Sequence, residues 1–206
     1  VLVRDIMRAP VLTVGPDRAI GEAFELTRAR QVRHLVVVQG DALAGIVSDR
    51  DFKRALGGPA AAAERWAEPV DAIMSRPVTT VDPEAPVEEA AAVMLARRIS
   101  ALPVVEAGRL AGIVTETDLL RLLCRALGAT EPSSRLDVGL DDRAGSLGEV
   151  LSTLEEAGAP VASVVCLRAP DGRREAVVRV RTINPGPAVR RLEARGHAVR
   201  PPWSRP

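Results

Sequence analysis

The sequence predicts a mixed α/β (α+β) chain: two pseudo-symmetric copies of one unit, followed by a smaller β-α-β-β-α-β unit. Three observations carry that prediction. Residues 3–52 match residues 70–119 without a gap at an offset of 67, with about 21 of 50 positions identical. Within both copies apolar residues recur in the same phase, first at helical and then at strand spacing. After about residue 127 the repeat stops and a different alternation begins. Two copies of so long a unit are too few for an open array, so a closed pair is the natural architecture.

Each copy opens on the same apolar and proline positions. Val3, Ile6, Met7, Pro10, Val14 and Pro16 recur as Val70, Ile73, Met74, Pro77, Val81 and Pro83, and the Met-x-x-x-Val-x-Thr-Val stretch reads as a strand. Ile20, Ala23, Phe24 and Thr27 then fall at i, i+3, i+4 and i+7, as do Val87, Ala90, Ala91 and Met94, which predicts an amphipathic helix. Two β-rich runs follow, Leu35 to Val38 with Leu43 to Val47, and Leu102 to Val105 with Leu110 to Val114. The short turns Gln39-Gly-Asp-Ala42 and Glu106-Ala-Gly-Arg109 suit hairpins. A second helix opens at Ser48 or Thr115. The copies are placed at 1–57 and 70–127, with 58–69 as a linker in which Trp66 anchors onto the adjacent core.

Residues 128–134, GATEPSS, read as a second linker. From there to residue 200 the order is strand (Leu136, Val138, Leu140), helix (Leu147, Val150, Leu151, Leu154), strand (Val161 to Leu167), a turn at Pro170-Asp-Gly-Arg173, and strand (Glu175 to Arg181). A helix from Pro185 to Ala194 and a last strand at His197 to Val199 close a ferredoxin-like unit over 135–200, leaving a tail at 201–206.

Composition bounds the function. A net charge of +1 provides no field to hold nucleic acid, and two Trp, two Phe and no Tyr leave little surface for stacking bases. No apolar run is long enough to span a bilayer and the first residues lack a signal-peptide layout, so a cytoplasmic protein is expected. Cys124 and Cys166 lie in apolar sequence without metal-ligand spacing, which predicts buried free thiols and no metal site. No P-loop, GxSxG or HExxH occurs, and no catalytic residues are assigned.

The residues fit for chemistry stand at the strand-to-helix corners, Gly45-Ile-Val-Ser48-Asp-Arg-Asp51 and Gly112-Ile-Val-Thr115-Glu-Thr-Asp118. One reading is helix capping, with Ser48 or Thr115 as N-cap and an acid three residues on. The other is ligand binding: the helix N-terminus and hydroxyl favour an anion, and the carboxylate accepts from a ribose diol. The two are compatible and both stay open. Around the first corner lie Arg33, His34, Arg50, Lys53 and Arg54, where the second copy has Ser100, Ala101, Thr117, Leu120 and Arg121. This contrast predicts a di- or triphosphate at the first corner and a less charged ligand at the second.

The repeat, with its Gly-h-h-Ser/Thr-x-x-Asp corner in both copies, resembles a tandem CBS-domain pair, the Bateman module. The resemblance implies two clefts for adenosyl ligands such as AMP, ADP, ATP or S-adenosylmethionine, with the Asp on the ribose hydroxyls and the Ser/Thr on ribose or phosphate. By position it places Thr13, Val32, His34, Ser48, Arg50, Asp51 and Lys53 in one site, and Thr80, Ile99, Ala101, Thr115 and Asp118 in the other. The last segment, with Asp142-Arg-Ala-Gly-Ser-Leu147 where the family usually has Asp-Arg-Pro-Gly-x-Leu, resembles an ACT domain. That implies an effector loop of Asp142, Gly145, Ser146 and Leu147 for an amino acid, and edge-to-edge pairing of domains. The domain order is similar to that of the bacterial acetoin utilization CBS-ACT proteins. Together these imply a non-catalytic homodimeric sensor acting on a further regulated protein. The alternative is an assembly protein whose clefts are filled by its own side chains and whose last unit only dimerises it.

Overall fold

Alternation of apolar residues drives both hairpins of the repeat, and the structure extends each expected run by a residue or two. In the computed structural model, which describes residues 1–56, 62–168 and 172–201, the first copy comprises β1 (Thr13–Val14), α1 (Ile20–Ala29), β2 (His34–Gln39), β3 (Ala42–Ser48) and α2 (Asp49–Leu56). Then come α3 (Ala62–Ala67) and the second copy, α4 (Val87–Arg97), β4 (Ala101–Glu106), β5 (Arg109–Thr115) and α5 (Glu116–Ala126). The strands β2 and β3 pair antiparallel with a bulge between Val37 and Val38, and β4 and β5 do so with a bulge between Val104 and Val105, the same repeat position. Cis peptides at Ala9-Pro10 and Arg76-Pro77 also coincide under the repeat. One expected strand is lost: β1 pairs parallel with β2, but its counterpart at Thr80-Val81 reduces to a single bridge from Val81 to Val104. Residues 58–61 of the expected first linker, 170–171 of the expected turn and 202–206 of the expected tail lie outside the described residues, as do residues 57 and 169.

Each copy lends its opening segment to the other. Val3 N donates to Ala85 O at 2.9 Å and Arg4 N to Pro83 O at 3.0 Å, so Val3, Ile6 and Met7 join the core of Val81, Ala90, Met94 and Leu102. Reciprocally, Val70 N donates to Arg18 O at 2.8 Å and Asp71 N to Pro16 O at 3.0 Å, and Val70, Ile73 and Met74 join Val14, Ile20, Leu35 and Phe52. The glycine shared by both Leu-Ala-Gly-Ile-Val strands makes room for the exchanged methionine. A Cβ on Gly45 would come within 2.8 Å of Met74 Cγ, and one on Gly112 within 2.6 Å of Met7 Sδ and 3.1 Å of Arg8 O. The exchange also carries Arg8 beside Ile113 and Ser75 beside Ile46, each through an antiparallel bridge. Trp66 anchors as expected, edge-on to Phe24 with ring centroids 5.9 Å apart.

The chain separates into compact units at Val1–Leu120 and Arg121–Pro206. In the second, β6 (Ser134–Leu140), α6 (Ser146–Glu156), β7 (Val161–Arg168), β8 (Arg174–Val180), α7 (Gly186–Ala194) and β9 (Val199–Arg200) give the expected β-α-β-β-α-β order, with strands arranged β7-β8-β6-β9. The unit has a core of its own, in which Leu136, Val138, Val178 and Val180 meet Val150, Leu154 and Leu192. Leu127 and Ser133 belong with it, since Ser163 Oγ donates to Leu127 O at 2.9 Å and Arg179 to Ser133 Oγ at 3.1 Å. The last strand starts later than expected: His197 precedes β9 and is buried. Cys124 and Cys166 are free but exposed, against the expected burial, because one lies on the solvent face of α5 and the other on the outer half of the edge strand β7. Among the described residues no helix is long and apolar enough to cross a membrane, and no group of three or more His, Cys, Asp or Glu is placed to hold a metal.

Candidate functional site

Both corners form the capping geometry their spacing predicts. Ser48 donates to Asp51 Oδ2 through its backbone N at 2.8 Å and its hydroxyl at 2.6 Å. Thr115 does the same to Asp118 Oδ2 at 3.1 and 2.5 Å, and Asp118 N returns a bond to Thr115 Oγ1 at 3.3 Å. The register of the hairpins sets His34 opposite Ser48 and Ala101 opposite Thr115. Each carboxylate therefore stands at the mouth of a strand end with one oxygen spent on the cap.

At the first corner a cleft of ≈ 340 Å³ opens between the copies. Ser48, Arg50, Asp51 and Arg54 form one wall and Ser75, Val78, Thr79 and Arg98 to Ala101 the other, with His34 and Ile46 between. Among the described residues no group bonds the second oxygen of Asp51, Oδ1. His34 Nε2 lies 3.1 Å from Ser100 Oγ. Burial, reinforced by Arg33, lowers the His34 pKa from its ordinary value, against the pull of Asp49, Asp51 and Glu116.

The cleft regroups the residues the sequence assigns. His34, Ser48, Arg50 and Asp51 come together as expected, but Ile99 and Ala101 line this same cleft and not one with Thr115 and Asp118. Thr13 lies on β1 outside the lining, Val32 packs against the first core, and Lys53 points to solvent, 3.2 Å from Asp49. Thr80 is exposed; its neighbour Thr79 lines the cleft and accepts from Arg97 at 3.1 Å. Ser75, Thr79 and Arg98 were not singled out by the motifs: Ser75 arrives on the exchanged opening segment and Arg98 caps α4 of the second copy, and their meeting with Asp51 leaves no mark in a linear alignment.

The second corner is occupied by the protein itself. Arg8 places Nε at 3.1 Å and a terminal nitrogen at 3.0 Å from Asp118 Oδ1, while Asp118 is buried. Arg33 crosses from the first copy to donate to Thr117 Oγ1 at 2.9 Å. The expected contrast of charge is therefore redrawn. Arg33 serves the second corner, Lys53 serves neither cleft wall, and the open cleft owes its positive charge to Arg50, Arg54 and Arg98.

In the second unit the expected effector loop divides. Gly145 has φ +86° at the start of α6, Ser146 is buried with its hydroxyl accepting from Asp141 N at 3.0 Å, and Leu147 packs on the core. Only Asp142 of the four lines the unit's cleft of ≈ 620 Å³, together with Asp137, Arg174, Glu175, His197 and Arg200.

Comparison with known proteins agrees with the repeat. The CBS-domain family model matches residues 3–58 and 70–125. A CBS domain-containing protein of Dictyostelium discoideum is 33% identical over 143 residues, 65% of this chain and 99% of that protein. Against a longer relative, the inosine-5'-monophosphate dehydrogenase of Korarchaeum cryptofilum, identity is 35% over 130 residues, and the chain spans 26% of that enzyme. Among solved structures, the CBS domain pair of protein MJ0100 in complex with 5'-methylthioadenosine and S-adenosyl-L-methionine has a TM-score of 0.55 and 31% identity, covering 64% of this chain and 98% of that one. An acetoin utilization-type protein (AcuB) of Vibrio cholerae gives a TM-score of 0.55 and 30% identity, again over 64% of this chain and 98% of the other.

Proposed function

This chain belongs to the CBS-domain family, with one copy of the domain at residues 3–58 and another at 70–125, and from that premise we propose that it is a non-catalytic sensor of adenosine-containing ligands. The observation that carries the reading is the open cleft at the first corner, with Asp51 fixed by its cap through Oδ2 and presenting Oδ1 to the ribose diol. Ile46, Val78, Ile99 and Ala101 give the aliphatic surface a base requires, and Arg50, Arg54 and Arg98 attract phosphate. The likeness to a CBS pair that carries 5'-methylthioadenosine and S-adenosyl-L-methionine supports an adenosyl ligand. AMP, ADP, ATP and S-adenosylmethionine are the candidates. The ligand acts by favouring one arrangement of the pair over another, and a regulated protein reads that arrangement.

Residues 134–200 serve in this reading as an ACT-like unit. Its element order and the left-handed Gly145 support that reading, and its cleft pairs acidic Asp137, Asp142 and Glu175 with Arg174 and Arg200, a charge pattern that suits the ammonium and carboxylate of an amino acid. The free edge of β7, where Leu167 is exposed, supports pairing of two chains into a homodimer. The assembly reading, with clefts closed by side chains, is favoured at the second corner alone, where Arg8 holds Asp118.

Isothermal titration with the four adenosyl compounds tests the central claim. At least one binds the wild type, and Asp51→Ala weakens that binding by roughly tenfold or more, since a charge-assisted hydrogen bond pair is lost. Equal affinity in Asp51→Ala would remove Asp51 from the site.

A further inference from the structure

The two copies present the same corner, yet one is open and the other closed. One repeat position shows the difference directly. Residue 8 and residue 75 are equivalent, each delivered by the exchanged opening segment to the other copy's corner, and each held there by a backbone bridge, Arg8 to Ile113 and Ser75 to Ile46. The residue at the first corner is Ser75, whose short side chain lines the open cleft. The residue at the second is Arg8, whose guanidinium takes Asp118 Oδ1 with two nitrogens, at 3.1 and 3.0 Å. Thr115 already engages the other oxygen. Both oxygens of the carboxylate are thus in use, whereas Asp51 keeps Oδ1 for a ligand.

We propose that Arg8 is a built-in latch on the second cleft, so that the pair takes one adenosyl ligand, at Ser48 and Asp51, and loss of the Arg8 guanidinium admits a second at Thr115 and Asp118. The proposal rests on the adenosyl-sensing reading above and determines its stoichiometry. A ribose diol is a neutral donor, and to reach Asp118 it must displace a charge-assisted pair on a buried carboxylate, which is the stronger interaction. Arg8 itself is half exposed, so it has room to swing out when a partner or a second ligand offers its guanidinium another anion.

Isothermal titration of the full chain, with AMP and with S-adenosylmethionine in separate runs, measures the number of sites. The wild type binds one equivalent of at least one compound, Arg8→Ser binds two, and Arg8→Ser combined with Asp118→Ala returns to one. The first site serves as an internal control for folding, since its affinity in Arg8→Ser stays within about twofold of wild type. A wild type that binds two equivalents, or an Arg8→Ser protein that retains one site at unchanged affinity, overturns the latch and leaves the sensing reading intact. A wild type and Arg8→Ser that both bind neither compound overturn the sensing reading, and the latch with it.

Discussion

His34 shows how one side chain reports the state of its corner. It is the strand residue opposite Ser48, it lies 3.1 Å from Ser100 Oγ across the cleft, and burial with Arg33 lowers its pKa while Asp49, Asp51 and Glu116 pull the other way. A lowered value means that the unfolded chain binds a proton more readily than the folded one in the window beneath about pH 6.5. The stabilising contribution of neutral His34 is therefore complete above about pH 6.5 and is lost as pH falls through its folded value. Urea midpoints measured from pH 5 to 7.5 decline on the acid side for the wild type, and in His34→Gln the decline is shallower. Identical slopes would show that His34 does not titrate differently on folding. The sequence placed His34 at the corner through its strand position, and it placed Asp51 and Asp118 through the cap spacing. What it could not supply was the identity of the opposite wall, because Ser75, Thr79 and Arg98 reach the cleft through tertiary packing of the second copy and not through local spacing.

At the scale of elements the exchange rests on glycine in β3 and β5. The repeat is legible because period and apolar phase survive in any arrangement of the two copies. The fit between Met7 and Gly112 and between Met74 and Gly45 accommodates the exchanged segments, and because both partners recur in the repeat it leaves no mark of the exchange in the sequence. The Gly112 contact is the less forgiving, since a Cβ there would meet the backbone oxygen of Arg8 at 3.1 Å as well as a flexible side chain. Gly112→Ala is accordingly expected to lower stability by about 1–3 kcal/mol, the usual cost of overfilling a packed site. The three atoms nearest a Cβ on Gly45 all belong to the Met74 side chain, so Gly45→Ala is expected to cost less. Equilibrium denaturation of both variants checks the order, and equal losses would mean that the Arg8 backbone gives way. The missing counterpart of β1 follows from the same limits of local reading. Thr80-Val81 has the residue types of a strand, yet only Val81 makes the bridge that its pairing with β4 would extend.

For the whole molecule the decisive fact is that the cores are separate. The clusters around Leu35 and Leu102 lie within Val1–Leu120, and the cluster around Leu136 and Leu154 lies within Arg121–Pro206. Each unit buries its own apolar surface, so each can melt as its own cooperative step. A ligand that binds the native form of one unit stabilises that unit by mass action, about 2.7 kcal/mol when present at a hundred times its dissociation constant. Scanning calorimetry of the full chain is therefore expected to resolve two transitions, and a saturating adenosyl ligand to move one of them upward while leaving the other in place. Asp51→Ala abolishes that shift. On the proposed ACT-like reading, an amino acid added to the chain is expected to move the transition that the adenosyl ligand leaves unchanged. A single transition raised as a whole by either ligand would mean instead that the units are energetically coupled, and that sensing in one is transmitted directly to the other.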